Sequence, residues 1–84
     1  MPYGVKLRPA AERDVARLPR TTGPRVARVL RGLADEPRPR GCIKLTREPG
    51  YRIRVGDWRV LYTIDDAARL VTVGRIRHRR DAYR

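Results

Sequence analysis

The chain is poor in several residue types, and each shortage excludes something. Cys42 is its single cysteine, so no internal disulfide can form and no thiol cluster can hold a metal. A lone thiol suits a reducing compartment, and Cys42 reads as a small, partly buried apolar side chain. No apolar run approaches the roughly 20 residues that cross a bilayer. Pro2, Gly4, Lys6 and Arg8 interrupt the N-terminus, which does not resemble a signal peptide. The expectation is a soluble, cytoplasmic protein with no membrane partner.

Acidic residues are scarce as well. Nine stand against 21 basic ones, for a net charge of +12. The excess is even along the chain: residues 1–40 hold ten basic and four acidic groups, and residues 41–84 hold eleven and five. Charge of this size on a small domain favours a polyanionic partner, nucleic acid ahead of an anionic membrane. Only Lys6 and Lys44 are lysines. The arginines suit bidentate phosphate contacts, although a codon bias produces the same ratio. With 84 residues, 40% of them hydrophobic, the chain has material for one domain, residues 1–84, around one modest core.

The most informative stretch is Tyr51–Ile64. Two β-rich runs flank Gly56-Asp57, a two-residue loop of the kind that closes a tight hairpin. That loop sets Val55 opposite Trp58, Arg54 opposite Arg59, Ile53 opposite Val60, Arg52 opposite Leu61 and Tyr51 opposite Tyr62. Side chains alternate between faces. Tyr51, Ile53, Val55, Trp58, Val60 and Tyr62 therefore share a face that must be covered, and Arg52, Arg54 and Arg59 gather on the other. Arginine facing arginine across a strand pair is a cost, and a phosphate-bearing ligand would offset it. The same alternation also suits an ordinary solvated sheet face.

Around this hairpin the elements follow in order. Tyr3–Arg8 reads as a short strand with Tyr3, Val5 and Leu7 inward. Pro9 opens a helix with a stripe of Ala11, Val15 and Leu18 that stops before Pro19. Thr21, Thr22 and Gly23 offer caps to a second helix with Pro24 just inside, a stripe of Val26, Leu30 and Leu33, and an end at Pro37. Both helices are too short to stand alone and must dock on the apolar hairpin face. Their outer arginines (Arg13, Arg17, Arg20, Arg25, Arg28 and Arg31) read as a solvated face. A stiff Pro37–Gly41 connector leads to Ile43-Lys44-Leu45, and a turn at Glu48-Pro49-Gly50 follows. Leu70–Arg77 is a last strand whose parity puts Val71 and Val73 on the same face as Arg75 and Arg77. A bulge at Gly74 would separate them, sending the valines to the core and the arginines to the hairpin cluster. A basic tail, His78 to Arg84, ends the sequence.

The Tyr-Arg-Ile-Arg-Val-Gly-Asp-Trp-Arg-Val-Leu-Tyr segment at 51–62, the Lys44-Leu45 step before it and the His-Arg-Arg-Asp-Ala-Tyr-Arg ending at 78–84 together resemble the RelE/ParE superfamily, the toxins of type II toxin–antitoxin pairs. The resemblance spans nearly the whole chain. It implies an α+β fold: a small twisted, largely antiparallel sheet with two N-terminal helices packed on one face. In the RelE branch it implies a ribosome-dependent endoribonuclease that cuts messenger RNA without metal or other cofactor. There the 2′-hydroxyl attacks the adjacent phosphate, leaving a 2′,3′-cyclic phosphate and a free 5′-hydroxyl. Its implied partners are a cognate antitoxin, messenger RNA on the ribosome and ribosomal RNA.

Such chemistry needs a base, charge at the pentacovalent phosphate and an acid for the leaving oxygen. By resemblance, Arg59 matches the hairpin arginine that stabilises the phosphate, Arg79 a tail arginine, and Tyr83 a tail tyrosine that meets the substrate. Arg52 and Arg54 stand where relatives often carry lysine. Arginine stays protonated, so neither is a general base, and His78 and Tyr83 are left for proton transfer. Packing roles for both remain open: His78 as a strand cap, Tyr83 on the core. Lys44, Arg75, Arg77 and Arg80 are further RNA-binding candidates. Alternative functions are a ParE-like inhibitor of DNA gyrase and a non-catalytic RNA- or ribosome-binding domain.

Overall fold

The structure is a computed structural model describing residues 2–82. It builds five strands and three helices in the order β1 (Gly4–Leu7), α1 (Pro9–Ala16), α2 (Thr22–Asp35), β2 (Ile43–Lys44), β3 (Tyr51–Val55), β4 (Trp58–Asp65), β5 (Leu70–His78) and α3 (Arg79–Ala82). One sheet runs β1-β5-β4-β3-β2. All neighbours are antiparallel except β1 and β5. The α+β architecture expected from the resemblance is the one observed.

The hairpin register follows the loop. Gly56 takes φ 62° in the turn, where a residue without a Cβ meets no steric penalty. All five cross-strand pairs, from Val55↔Trp58 to Tyr51↔Tyr62, form as the sequence dictates. On β5, Leu61 pairs with Arg75 while the adjacent Tyr62 pairs with Val73, so Gly74 is the extra residue of a bulge. Val71 and Val73 consequently enter the core, and Arg75 and Arg77 turn to the opposite face. Nine apolar side chains make the buried core: Val55, Val60, Tyr62, Val71, Val73 and Ile76 from the sheet, Ala11 from α1, and Val26 and Leu33 from α2.

Pro9 lies in the first turn of α1, where its missing N–H costs no hydrogen bond. The α1 stripe differs from the expected one: Ala11 is fully buried, but Val15 is 37% exposed. The inward face of this eight-residue helix runs through Ala11 and Asp14, positions i and i+3, rather than Ala11 and Val15. Thr21 precedes α2 without a side-chain capping bond. The helix is held instead by Val26 and Leu33, with Val29 and Leu30 packed around them.

A polar clasp closes the end of the sheet away from the hairpin tip. Arg38 donates to both carboxylate oxygens of Asp66 at 3.2 and 2.8 Å and to the Tyr51 hydroxyl at 3.1 Å, while the Tyr3 hydroxyl donates to Asp66 at 2.6 Å. The Arg38 guanidinium also lies over the Tyr51 ring, 5.3 Å from its centre. Beneath it, the Tyr62 hydroxyl donates to the Pro37 carbonyl at 2.9 Å. Burial pushes that hydroxyl well above its ordinary pKa, so it stays a donor.

Candidate nucleic-acid interface

Both long helices pack on one face of the sheet, and the register decides what the other face shows. Arg54 pairs with Arg59 and Arg59 with Arg77, so three guanidinium-bearing residues stand in one row across β3, β4 and β5. The next row is Arg52, Leu61 and Arg75, with Ile43 of β2 beside Arg52. Cross-strand neighbours sit only about 5 Å apart at Cβ. Two adjacent rows thus concentrate five arginines on one side of the molecule.

The rows differ in mobility. Arg59 is 5% exposed, the one buried charged residue of the described chain. Arg54 is exposed, and Arg52 and Arg77 are half-buried. A guanidinium that deep is fixed in direction, while its neighbours can swing towards a ligand. Of the exposed rim, Arg75 is already engaged. Its Nε and Nη2 donate to Asp14 at 2.9 and 3.3 Å, and the same carboxylate accepts the backbone N–H of Ile76 at 2.8 Å. Burial alone would raise the Asp14 pKa, but the bonds from Arg75 and Ile76 hold it below the ordinary carboxylate value. Asp14 was not among the sequence candidates. Its signal is an acidic residue on the inward face of a short helix in a chain of this charge.

Of the other sequence candidates, His78, Arg79 and Arg80 gather around one hollow of about 630 Å³ with Asp57 and Asp81. His78 pairs with Trp58, so its ring lies on the helix side of β5 and not on the arginine face. It meets the indole edge-on, with centroids 5.2 Å apart at 89°. Alternation puts it across the strand from Arg77, yet His78, Arg75 and Arg77 all line an edge groove of about 210 Å³ beside Asp14 and Asp81. His78 Nδ1 accepts the Arg80 N–H at 3.3 Å. Arg79 is spent at the hairpin tip, where its N–H donates to the Asp57 carbonyl at 2.7 Å and its guanidinium lies 3.9 Å from the Asp57 carboxylate. Arg80 is exposed. Lys44 pairs with Tyr51 and so shares the helix-side parity; on β2 it is Ile43, 48% exposed, that belongs to the arginine face. Tyr83 lies outside the described residues.

A small two-layer α+β domain, with helices on one face of its sheet and arginine rows on the other, defines a class of protein before it defines a member. Solved structures share the fold. The RelBE2 toxin–antitoxin complex of Mycobacterium tuberculosis superposes with a TM-score of 0.82 at 33% identity, over 93% of this chain and 92% of that one. The archaeal RelE–RelB complex of Pyrococcus horikoshii gives 0.80 at 26% identity, over 94% and 97%. Toxin RelG of Mycobacterium tuberculosis is 38% identical over 87 residues, covering 100% of this chain and 99% of that protein. The family model described as the ParE toxin of the type II toxin–antitoxin system parDE matches residues 5–83. The chain belongs to the RelE/ParE superfamily of type II toxins.

Proposed function

We propose that this toxin is a ribosome-dependent endoribonuclease acting on messenger RNA in the cytoplasm. The observation that supports it best is the Arg54–Arg59–Arg77 row, with its central guanidinium buried and its neighbours free to close on a phosphate. In this reading the RNA 2′-oxygen bonds to the adjacent phosphorus and the bond to the 5′-oxygen breaks, giving a cyclic phosphate and a 5′-hydroxyl. Arg59 bears on the extra negative charge of the pentacovalent state, where fixed donors count most. Arg52, Arg54 and Arg77 bind the strand. None of them removes a proton.

His78 serves as the acid only in its imidazolium form. With Nδ1 accepting the Arg80 N–H, a neutral ring carries its proton on Nε2 and has no lone pair there for a base; protonation gives up that bond and leaves an Nε2–H that can pass to the 5′-oxygen. Reaching the 5′-oxygen requires the groove at the β5 edge. The 2′-hydroxyl proton then passes to Tyr83 or to water. Relatives are solved as complexes with their antitoxins, and a cognate antitoxin of this chain would cover the cationic face with acidic side chains.

The test maps messenger RNA ends in cells expressing the wild type, Arg59→Met and Arg77→Gln. Cuts within translated codons should appear with the wild type and vanish with either variant, and Arg77→Gln covers the case in which Arg59→Met does not fold. The match to the ParE model favours a second reading, a non-enzymatic poison of DNA gyrase. DNA damage with intact transcripts would select that one.

A further inference from the structure

The open sheet face continues beyond the arginines. Past Leu61 it holds a cleft of about 400 Å³ floored by Leu61, Thr63 and Thr72. Leu45 and Pro49, from the segment between β2 and β3, wall one side, and Arg8 and Ala10 at the start of α1 wall the other. Arg75 and Glu48 stand at its rim. Beyond Arg8 a second hollow of about 430 Å³ shares Thr63 and Thr72 and reaches Lys6. Lys6 pairs with Thr72 and Thr72 with Thr63, so this is one more row of the same face. That row lies four residues along β4 from Arg59, about 13 Å at strand rise. Leu45, Pro49, Leu61 and Ala10 give the hollow its apolar lining, Thr63, Thr72 and Glu48 add hydroxyls and a carboxylate, and Arg75 and Arg8 bring cations to it.

We propose that this cleft is a nucleobase subsite. The base lies on Leu61 between Leu45 and Pro49, with its edge towards Thr63, Thr72 and Glu48. Arg75 keeps its Nε and Nη2 on Asp14 and offers Nη1 to the phosphate on one side, while Arg8 with Lys6 meets the phosphate on the other. A protein segment inserting one apolar side chain would satisfy the floor but not the cations on both sides of it. A polynucleotide carries a phosphate on each side of every base. Glu48 gives the site a preference: a carboxylate accepts from the amino groups of adenine, cytosine and guanine and repels the carbonyl edge of uracil. The subsite rests on the nucleic-acid reading of the arginine rows and extends it to base selection.

The experiment measures binding of the full chain to fluorescent 2′-O-methyl pentanucleotides, which cannot be cleaved through a 2′-oxygen. The ligands are oligoadenylate, the same strand with a central abasic site, and oligouridylate. The wild type should bind the intact adenine strand about tenfold more tightly than the abasic one, the range of a single stacked base. Leu61→Ala should erase that difference, and Glu48→Gln, an exposed change, should bring the uracil strand towards the adenine strand. Equal binding of intact and abasic strands by the wild type overturns the subsite and leaves the cleft to a protein partner. Because no cleavage is read, Arg59-dependent cuts in cells would still stand in that case. Conversely, a base-dependent affinity without cuts would keep the subsite and end the nuclease reading. No binding of any strand at low salt would likewise overturn the subsite, while the cuts in cells decide the nuclease reading.

Discussion

The carboxylate of Asp14 lies 2.8 Å from the backbone nitrogen of Ile76, just past the point where β1 has ended and β5 would otherwise present an open edge. β1 pairs only as far as Leu7↔Val73, so among the described residues no strand lies beside the outer side of β5 beyond Gly74. Unpaired strand edges invite foreign strands, and a carboxylate that caps an edge N–H and holds Arg75 blocks that approach. Asp14→Ala leaves the Ile76 N–H without its acceptor and should cost about 1–3 kcal/mol. Arg75→Ala should cost less, because its side chain is 45% exposed and solvent takes over. Chemical denaturation of the two variants, compared with the wild type, checks the order.

Gly50 and Gly74 should respond oppositely to alanine. Gly50 has φ 116°, and a Cβ there would stand 2.6 Å from the Tyr62 carbonyl oxygen, a backbone atom that cannot step aside. Gly50→Ala should lose about 1–3 kcal/mol from the backbone conformation alone, with the collision added to it. It should also displace Leu45, whose N–H donates to the Gly50 carbonyl. A Cβ on the bulge residue Gly74 meets only the Leu61 carbonyl oxygen at 3.8 Å, so Gly74→Ala should stay within about 0.5 kcal/mol of the wild type. Thermal melts of both variants decide it.

What the sequence made legible was whatever strand parity governs. The two-residue loop fixed every hairpin pair, and the conflict between Val71, Val73 and Arg75, Arg77 required the bulge at Gly74. What it hid were relationships between elements distant in the chain. Asp14 reaches Ile76 across 62 positions, and no local pattern announces such a bond. The parallel pairing of β1 with β5 is of the same kind. The strand expected to end at Arg77 runs on to His78, and its parity sets that ring against Trp58, a contact between strands that the tail alone does not announce. On β2, the pairing with β3 decides that Ile43 and not Lys44 joins the arginine row.

The arginine rows should trade stability for binding. Arg59 is flanked by Arg54 on one side and Arg77 on the other, and like charges directly opposite one another weaken a strand pair. Arg54→Gln removes one such repulsion at an exposed position and should stabilise the fold by about 0.5 kcal/mol. The same change should weaken RNA binding and lower the slope of log affinity against log salt by roughly one. A denaturation curve and a salt titration on one preparation test both halves. A variant that is less stable, or whose salt slope is unchanged, would deny the row its assigned role.

The acid limb of the stability curve should be shaped by the Arg38–Asp66–Tyr3 clasp. The hydrogen bonds from Arg38, and then from Tyr3, lower the Asp66 carboxyl to about 2. A carboxylate whose pKa is lower folded than unfolded binds more protons in the unfolded chain, so stability rises with pH across the interval between the two values. The contribution of Asp66 is therefore complete above the ordinary carboxylate value of about 3.9. It should fade as pH falls from there through about 2. Asp66→Asn should flatten the profile across that window and leave the slope above it unchanged. Tyr3→Phe should narrow the window from its lower end, because Arg38 alone still holds the carboxylate. Stability measured in urea at closely spaced acid pH values reads all three curves. A variant profile parallel to the wild type would mean that the clasp exists without titrating.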